Sequence, residues 1–287
     1  MDMNDKKTRA GMTQELFGVS DSQPMRYDVH LSTHPGKVRS GNEDNFAINT
    51  VYRRLEDPKK NLQGKRLKEP LFCAVYDGMG GEANGELASK LCAEVSALVY
   101  YDLVNSTEVN VDELVSRFVE KSNRAIVDML ESTHSKRGGS TFVMTVFCNG
   151  VVYPYSLGDS RIYLYRDKHL RQLSNDQTLA MKKLRANIIT EEEALTSPDR
   201  HKLTSFLGVD VDAEGLVPQI YQPFVLKPGD KLLLCSDGLY DMCSDRQMSK
   251  LMAKEPNEAC LALVDAALDK GGEDNITCIL ITCSENK

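Results

Sequence analysis

The stretch "STFVMTVFCNGVVYPYSLGDSRIYLYRDKHLRQLS", residues 140–174, decides the fold class. It holds four short β-like runs rich in Val, Tyr, Phe and Ile, separated by the turn signals Asn149-Gly150, Gly158-Asp159 and Asp167-Lys168. Asn-Gly between apolar runs signals a two-residue hairpin, because those residues accept positive φ at little cost. An antiparallel meander is therefore predicted.

Three more strands are expected upstream, in "RYDVHLST" (26–33), "DNFAIN" (44–49) and "LFCAVYD" (71–77). Between the last two, residues 53–70 carry seven Lys or Arg against three acids and read as a solvated hairpin loop. A helix is predicted over 86–101, with Leu87, Leu91, Val95, Leu98 and Val99 on one face. A second runs over 111–133, with Leu114, Phe118, Ser122, Ala125, Met129 and Leu130 as its inner stripe. After residue 177 the chain turns polar and helix-forming, and Thr190 with Glu193 makes a capping box. "DKLLLCSDGLYDM" then reads as a buried strand, "EACLALVDAALDKG" as a helix ended by Gly271, and "NITCILITC" as a final strand. Residues 1–24 are polar and aperiodic and are expected to form a mobile tail before one domain spanning 25–284. Strands and helices come in blocks, so the class is α+β, with antiparallel sheet and covering helices.

The net charge of −7 argues against a nucleic-acid partner, which needs a basic face. The eight cysteines form no C-x-x-C pair and mostly sit inside apolar runs, as reduced core thiols do. No stretch has the length of a signal peptide's apolar region or of a membrane span, so a cytoplasmic protein without membrane attachment is expected.

Four strand-like runs meet an aspartate beside a small residue: "AVYDG" at Asp77, "SLGDS" at Asp159, "LLLCSDG" at Asp237 and "GGEDN" at Asp274. One such aspartate is ordinarily a turn cap. Four of them, with Glu43 and Asp44 in "NED", point to carboxylates gathered at one end of a sheet, where they need a cation to stay ionised. Oxygen donors select a hard metal, Mn²⁺ or Mg²⁺, and paired ions are the usual catalytic arrangement. The five histidines show no zinc-ligand spacing. The glycine at 78 would let a backbone carbonyl reach the metal. Cys235 lacks the arginine of a cysteine-phosphatase loop, and Glu86 stands where a P-loop requires Lys, which leaves a water activated by the cations as the nucleophile. Arg39, five residues before Asp44, has the rigid donors that a phosphoryl group matches.

In order along the chain, "VRSGNED", "YDGMGG", "GGST", "SLGDSR", "LLLCSDGLYD" and "GGEDNIT" resemble the motifs of the metal-dependent protein phosphatase 2C family, in its bacterial form. That resemblance spans about 26–283 and implies a four-layer α-β-β-α sandwich with two central antiparallel sheets. It further implies a protein serine/threonine phosphatase with two Mn²⁺ or Mg²⁺ ions and room for a third. By position it makes Asp77 the bridging ligand, Gly78 the carbonyl ligand, and Asp237 and Asp274 the ligands of the first metal. Glu43 or Asp44 would serve the second metal, directly or through water. Asp159, helped by Asp237 and Asp241, resembles the third site, and Arg39 the phosphate-binding arginine. Residues 178–205 correspond to the variable flap beside the site. The implied partners are phosphoprotein substrates and an opposing serine/threonine kinase, with the enzyme a monomer. Met79 and Gln177 replace histidines found in many relatives, leaving no side chain assigned as general acid. Two other classes stay open here: a phosphatase-like domain that only binds a partner, and a metal-dependent nuclease or nucleotide hydrolase. Phosphopeptide turnover separates all three.

Overall fold

The computed structural model describes residues 26–106, 109–135, 137–210 and 216–284. The tail expected at 1–24 lies outside the described residues. Its strands are β1 (Arg26–His34), β2 (Asn45–Ile48), β3 (Val51–Tyr52), β4 (Lys60–Lys68), β5 (Leu71–Tyr76), β6 (Gly78–Met79), β7 (Gly139–Ser140), β8 (Phe142–Cys148), β9 (Val151–Leu157), β10 (Arg161–Arg166), β11 (His169–Gln172), β12 (Gln219–Ile220), β13 (Lys231–Cys235) and β14 (Ile276–Ser284). Two six-stranded antiparallel sheets form, in the orders β11-β10-β13-β14-β1-β4 and β12-β9-β8-β5-β2-β3.

Burial on both faces explains why the central strands read as apolar runs instead of alternating. In β5, Leu71, Cys73 and Val75 pack between the sheets, whereas Phe72, Ala74 and Tyr76 pack towards helices. In β14, Ile279, Ile281 and Cys283 face the opposite sheet, and Ile276, Cys278 and Leu280 face outward to the other helical layer. Helices α1 (Glu82–Asn105) and α2 (Val111–Ser132) cover one sheet, and α5 (Asp237–Tyr240), α6 (Asp245–Met252) and α7 (Pro256–Asp269) cover the other. The result is the expected α+β sandwich of four layers, α-β-β-α.

Several local expectations are corrected. The four runs of 140–174 are not one meander: β8 and β9 form a hairpin in one sheet, β10 and β11 a hairpin in the other, and the chain crosses between the sheets at 158–160. Residues 60–68 are not a loop but the edge strand β4, paired with β1 from Arg26↔Lys68 to Thr33↔Lys60. Its outward Lys and Arg side chains hid the strand while guarding its open edge. Arg53, in the same run, is fully buried. Leu98, expected on the inner face of α1, is 62% exposed, because the contact stripe runs through Cys92, Val95, Val99 and Leu103. In α2 Ile126 is buried, whereas its neighbour Ala125 is only partly covered.

Between β11 and β12 lie α3 (Leu179–Arg185), α4 (Glu191–Thr196) and a 3₁₀ turn at Pro198–His201. The predicted capping box at Thr190 and Glu193 is present. Asp199 anchors the turn, with Lys183 of α3 on one oxygen and Lys202 on the other at 2.8 Å.

Candidate metal centre

Strand register brings the acidic residues together. Asn45 pairs with Tyr76, Arg161 with Cys235, and Cys235 with Cys278, so Asp44, Asp77, Asp159, Asp237 and Asp274 all leave strands at one end of the sandwich. A cleft of about 280 Å³ there is lined by Arg39, Glu43, Asp77, Asp159, Asp237 and Asp274. Gly78 lies beside Asp77, and a Cβ there would sit 2.2 Å from the Gly85 carbonyl and 2.5 Å from that of Glu43. The strand end, the "NED" loop and the start of α1 therefore touch through bare backbone.

Two predicted residues stand off the cleft wall. Asp44 is buried beneath it and accepts a hydrogen bond from Ser236 Oγ at 2.7 Å, leaving Glu43 as the acid of that pair that lines the cleft. Asp241 lies to one side, bound by Arg200 at 3.1 Å and by His201 at 3.6 Å. Ligand atoms of His201, Asp237 and Asp241 nevertheless fall within 4.8 Å of one another. A histidine thus joins the acids through tertiary structure, where sequence spacing showed none.

Supporting contacts hold the constellation. Asn275 Oδ1 accepts from the Glu43 amide at 2.7 Å, and its Nδ2 donates to the carbonyls of Pro35 and Gly41. Ser236 Oγ also accepts from the Thr277 amide at 3.0 Å. The Arg53 guanidinium donates to the carbonyls of Asn42 and Asp44 at 2.5 and 3.0 Å and pairs with Glu86 at 2.9 Å, tying the "NED" loop to α1. Arg161 grips Asp176 through Nε and Nη2 and stacks 3.6 Å over the Tyr240 ring, whose hydroxyl donates to the Asp159 carbonyl. Sequence reading missed all of these positioning residues. Asn275 at least sits inside a motif, whereas Arg53 looked like one surface cation among seven.

The two departures from the resemblance differ in placement. Met79 lines the cleft, but Gln177 does not: its Oε1 accepts from the Gly158 amide at 2.7 Å and it lines a neighbouring cleft. His201 is the one imidazole among the described residues that lines the carboxylate cleft.

Electrostatics supply the test of whether cations fit. Burial, reinforced by the neighbouring carboxylates, pushes Asp77 and Asp237 well above the usual carboxylate range. Burial also raises Asp44 and Asp159, each to about 7. Arg39, 2.6 Å from Asp274, is the one Lys or Arg among the described lining residues, too little to balance five acids. A carboxylate-rich, charge-uncompensated cleft of this kind suits hard divalent cations.

Comparison with known proteins agrees with this chemistry. Residues 61–266 match the family model described as protein phosphatase 2C. The chain is 30% identical over 257 residues to the serine/threonine phosphatase stp of Listeria innocua, covering 88% of this chain and 94% of the relative. It is 28% identical over 263 residues to protein phosphatase PhpP of Streptococcus pneumoniae, covering 90% and 98%. The serine/threonine phosphatase PstP/Ppp of Mycobacterium tuberculosis superposes with a TM-score of 0.74 at 28% identity, over 91% of this chain and 100% of that one. A structure of the PstP catalytic domain in complex with 2 manganese ions superposes with a TM-score of 0.71, also at 28% identity, over the same shares of the two chains. Fold, motif order and family match converge, and the chain belongs to the protein phosphatase 2C family.

Proposed function

We propose that this chain removes phosphate from phosphoserine and phosphothreonine in proteins, using two divalent cations, Mn²⁺ or Mg²⁺. The observation that carries this reading is the convergence of Glu43, Asp77, Asp159, Asp237 and Asp274 on one cleft with Arg39 at its rim. Asp77 would be shared by the two ions, the Gly78 carbonyl would add a backbone ligand, Asp237 and Asp274 would hold the first ion, and Glu43 the second. Asp159 with Asp237 and Asp241 would hold a third ion. When bound, the cations polarise the phosphoryl oxygens and make water a competent nucleophile near neutral pH.

The protein's own groups do the positioning. Arg39 is half exposed and fixed by Asp274, so its planar donors can meet a phosphoryl group at the mouth and orient it for in-line attack. Asn275 and Arg53 hold the Glu43 loop, and Ser236 keeps Asp44 hydrogen-bonded beneath it. Residues 178–205 act as a flap, since His201 and Leu203 line the cleft from that side. A polymeric nucleic acid would face an acidic mouth here, which disfavours a nuclease.

The substrates are phosphoproteins, opposed by a serine/threonine kinase. Eight free cysteines fit a reducing cytoplasm, and no described helix is long and apolar enough to cross a membrane. The enzyme is proposed to work as a monomer. Asp237→Asn is expected to abolish Mn²⁺-dependent phosphate release from a phosphothreonine peptide, and EDTA to do the same to the unmodified chain. Full activity under either condition would sink the reading.

A further inference from the structure

A second cleft, of about 330 Å³, adjoins the carboxylate site. The two share the segment after the 3₁₀ turn: Leu203 lines the first, and its neighbours Thr204 and Ser205 line the second. Gln177 ties them further, because it lines the second cleft while accepting from Gly158, the residue before Asp159.

Helix α3 gives this cleft its charge. Lys182 and Arg185, three residues apart, share one face of the helix and line the cleft, while Lys183 turns away to Asp199. Arg185 contacts the Asp176 carbonyl at 3.4 Å, the Asp176 carboxylate being taken by Arg161. No carboxylate is found among the described lining residues, in a chain of net charge −7. Thr178 and Thr204 hydroxyls are already used, one capping α3 and one donating to the Gln177 carbonyl. Ser205 and Gln219 remain for a ligand, and Tyr221 donates to Gln219 Oε1, which leaves the amide nitrogen as the available end.

Two cations with hydroxyl and amide donors are the complement of a doubly charged oxyanion. We propose that this cleft receives a second phosphoryl group of the substrate, on a residue close to the one being hydrolysed, so that the enzyme prefers multiply phosphorylated segments. The proposal rests on the protein phosphatase reading and adds a substrate class to it. An extended peptide rises about 3.5 Å per residue, so the preferred spacing of the two phosphates reports the separation of the two clefts.

The test compares a singly phosphorylated threonine peptide with versions bearing a second phosphoserine at successive positions on either side. With Mn²⁺, kcat/KM is expected to be about tenfold higher for at least one doubly phosphorylated spacing, the size of one charge-assisted hydrogen bond. In Lys182→Ala/Arg185→Ala the ratio of the two kcat/KM values should fall to near one, and Arg185→Glu should invert it. Fluorescence anisotropy in EDTA gives a readout without turnover: the same peptide should bind more tightly than its singly phosphorylated partner, and the double variant should lose that difference. Equal binding and equal kcat/KM at every spacing, or a preference that survives in the double variant, overturns the proposal. If neither peptide is turned over while the binding difference persists, the cleft stands and the phosphatase reading falls.

Discussion

A methyl group on Gly85 would lie 1.7 Å from Glu43 Oε2 and 3.0 Å from the Gly78 carbonyl carbon. The far end of a flexible side chain can yield to such a contact, so Gly85→Ala should fold while pushing the Glu43 carboxylate out of place. Changes that disturb a ligand's surroundings commonly weaken metal affinity by about 10–100-fold. The expected result is a higher Mn²⁺ concentration for half-maximal activity, with activity approaching normal once Mn²⁺ saturates. Calorimetric titration with Mn²⁺ measures the affinity directly; unchanged affinity would show that Glu43 is not a ligand. The same residues mark the reach of sequence reading. Glu43 and Asp44 were indistinguishable as adjacent acids, and only the tertiary contact of Ser236 with Asp44 separates the cleft-lining acid from the buried one.

At the level of elements, α2 joins the outer layer through Phe118, fully buried and edge-on to Phe142 with ring centroids 5.2 Å apart. Phe118→Ala removes that contact and leaves a cavity, at about 3–5 kcal/mol. The denaturant midpoint should shift accordingly; a loss below about 1 kcal/mol would mean the layer collapses to fill the space. Strands β5, β13 and β14 were legible because burial on both faces writes a continuous apolar run. Edge strand β4 was not, because most of its side chains face water and only Leu62 and Leu67 pack against the core. The passage of the chain between sheets at 158–160 was equally hidden, since a Gly-Asp turn looks the same whether the next strand returns to its own sheet or enters another. Arg53 escaped for the opposite reason: it sits in a basic run, yet backbone carbonyls and Glu86 replace its water.

For the whole molecule, the carboxylate end makes stability depend on pH and on cations together. In the folded chain without cations, Asp44 and Asp159 titrate at about 7, against about 3.9 for an aspartate in an unfolded chain. Between those values the folded state binds more protons than the unfolded one, so stability falls as pH rises from about 4 to about 7. Thermal melts in EDTA should show Tm decreasing over that interval. Mn²⁺ takes the place of the protons, so its stabilisation should grow with pH. At about 100 times its Kd each ion adds about 2.7 kcal/mol, roughly 5–10 °C in a chain of this size. A Tm that rises towards neutrality in EDTA would contradict the electrostatic account.

The register Arg26↔Ser284 has a consequence for biosynthesis. Strand β1 is made early and can pair at once with β4, but its other side waits for β14, which emerges some 250 residues later. Thr33 then meets Thr277, and Asp44 meets Ser236, across most of the chain. A ribosome-bound fragment lacking 274–284 therefore lacks both a central strand and a carboxylate of the cleft. The nascent protein is expected to stay catalytically silent until its synthesis has passed that point, and phosphate release by a chain truncated before residue 274 would contradict this.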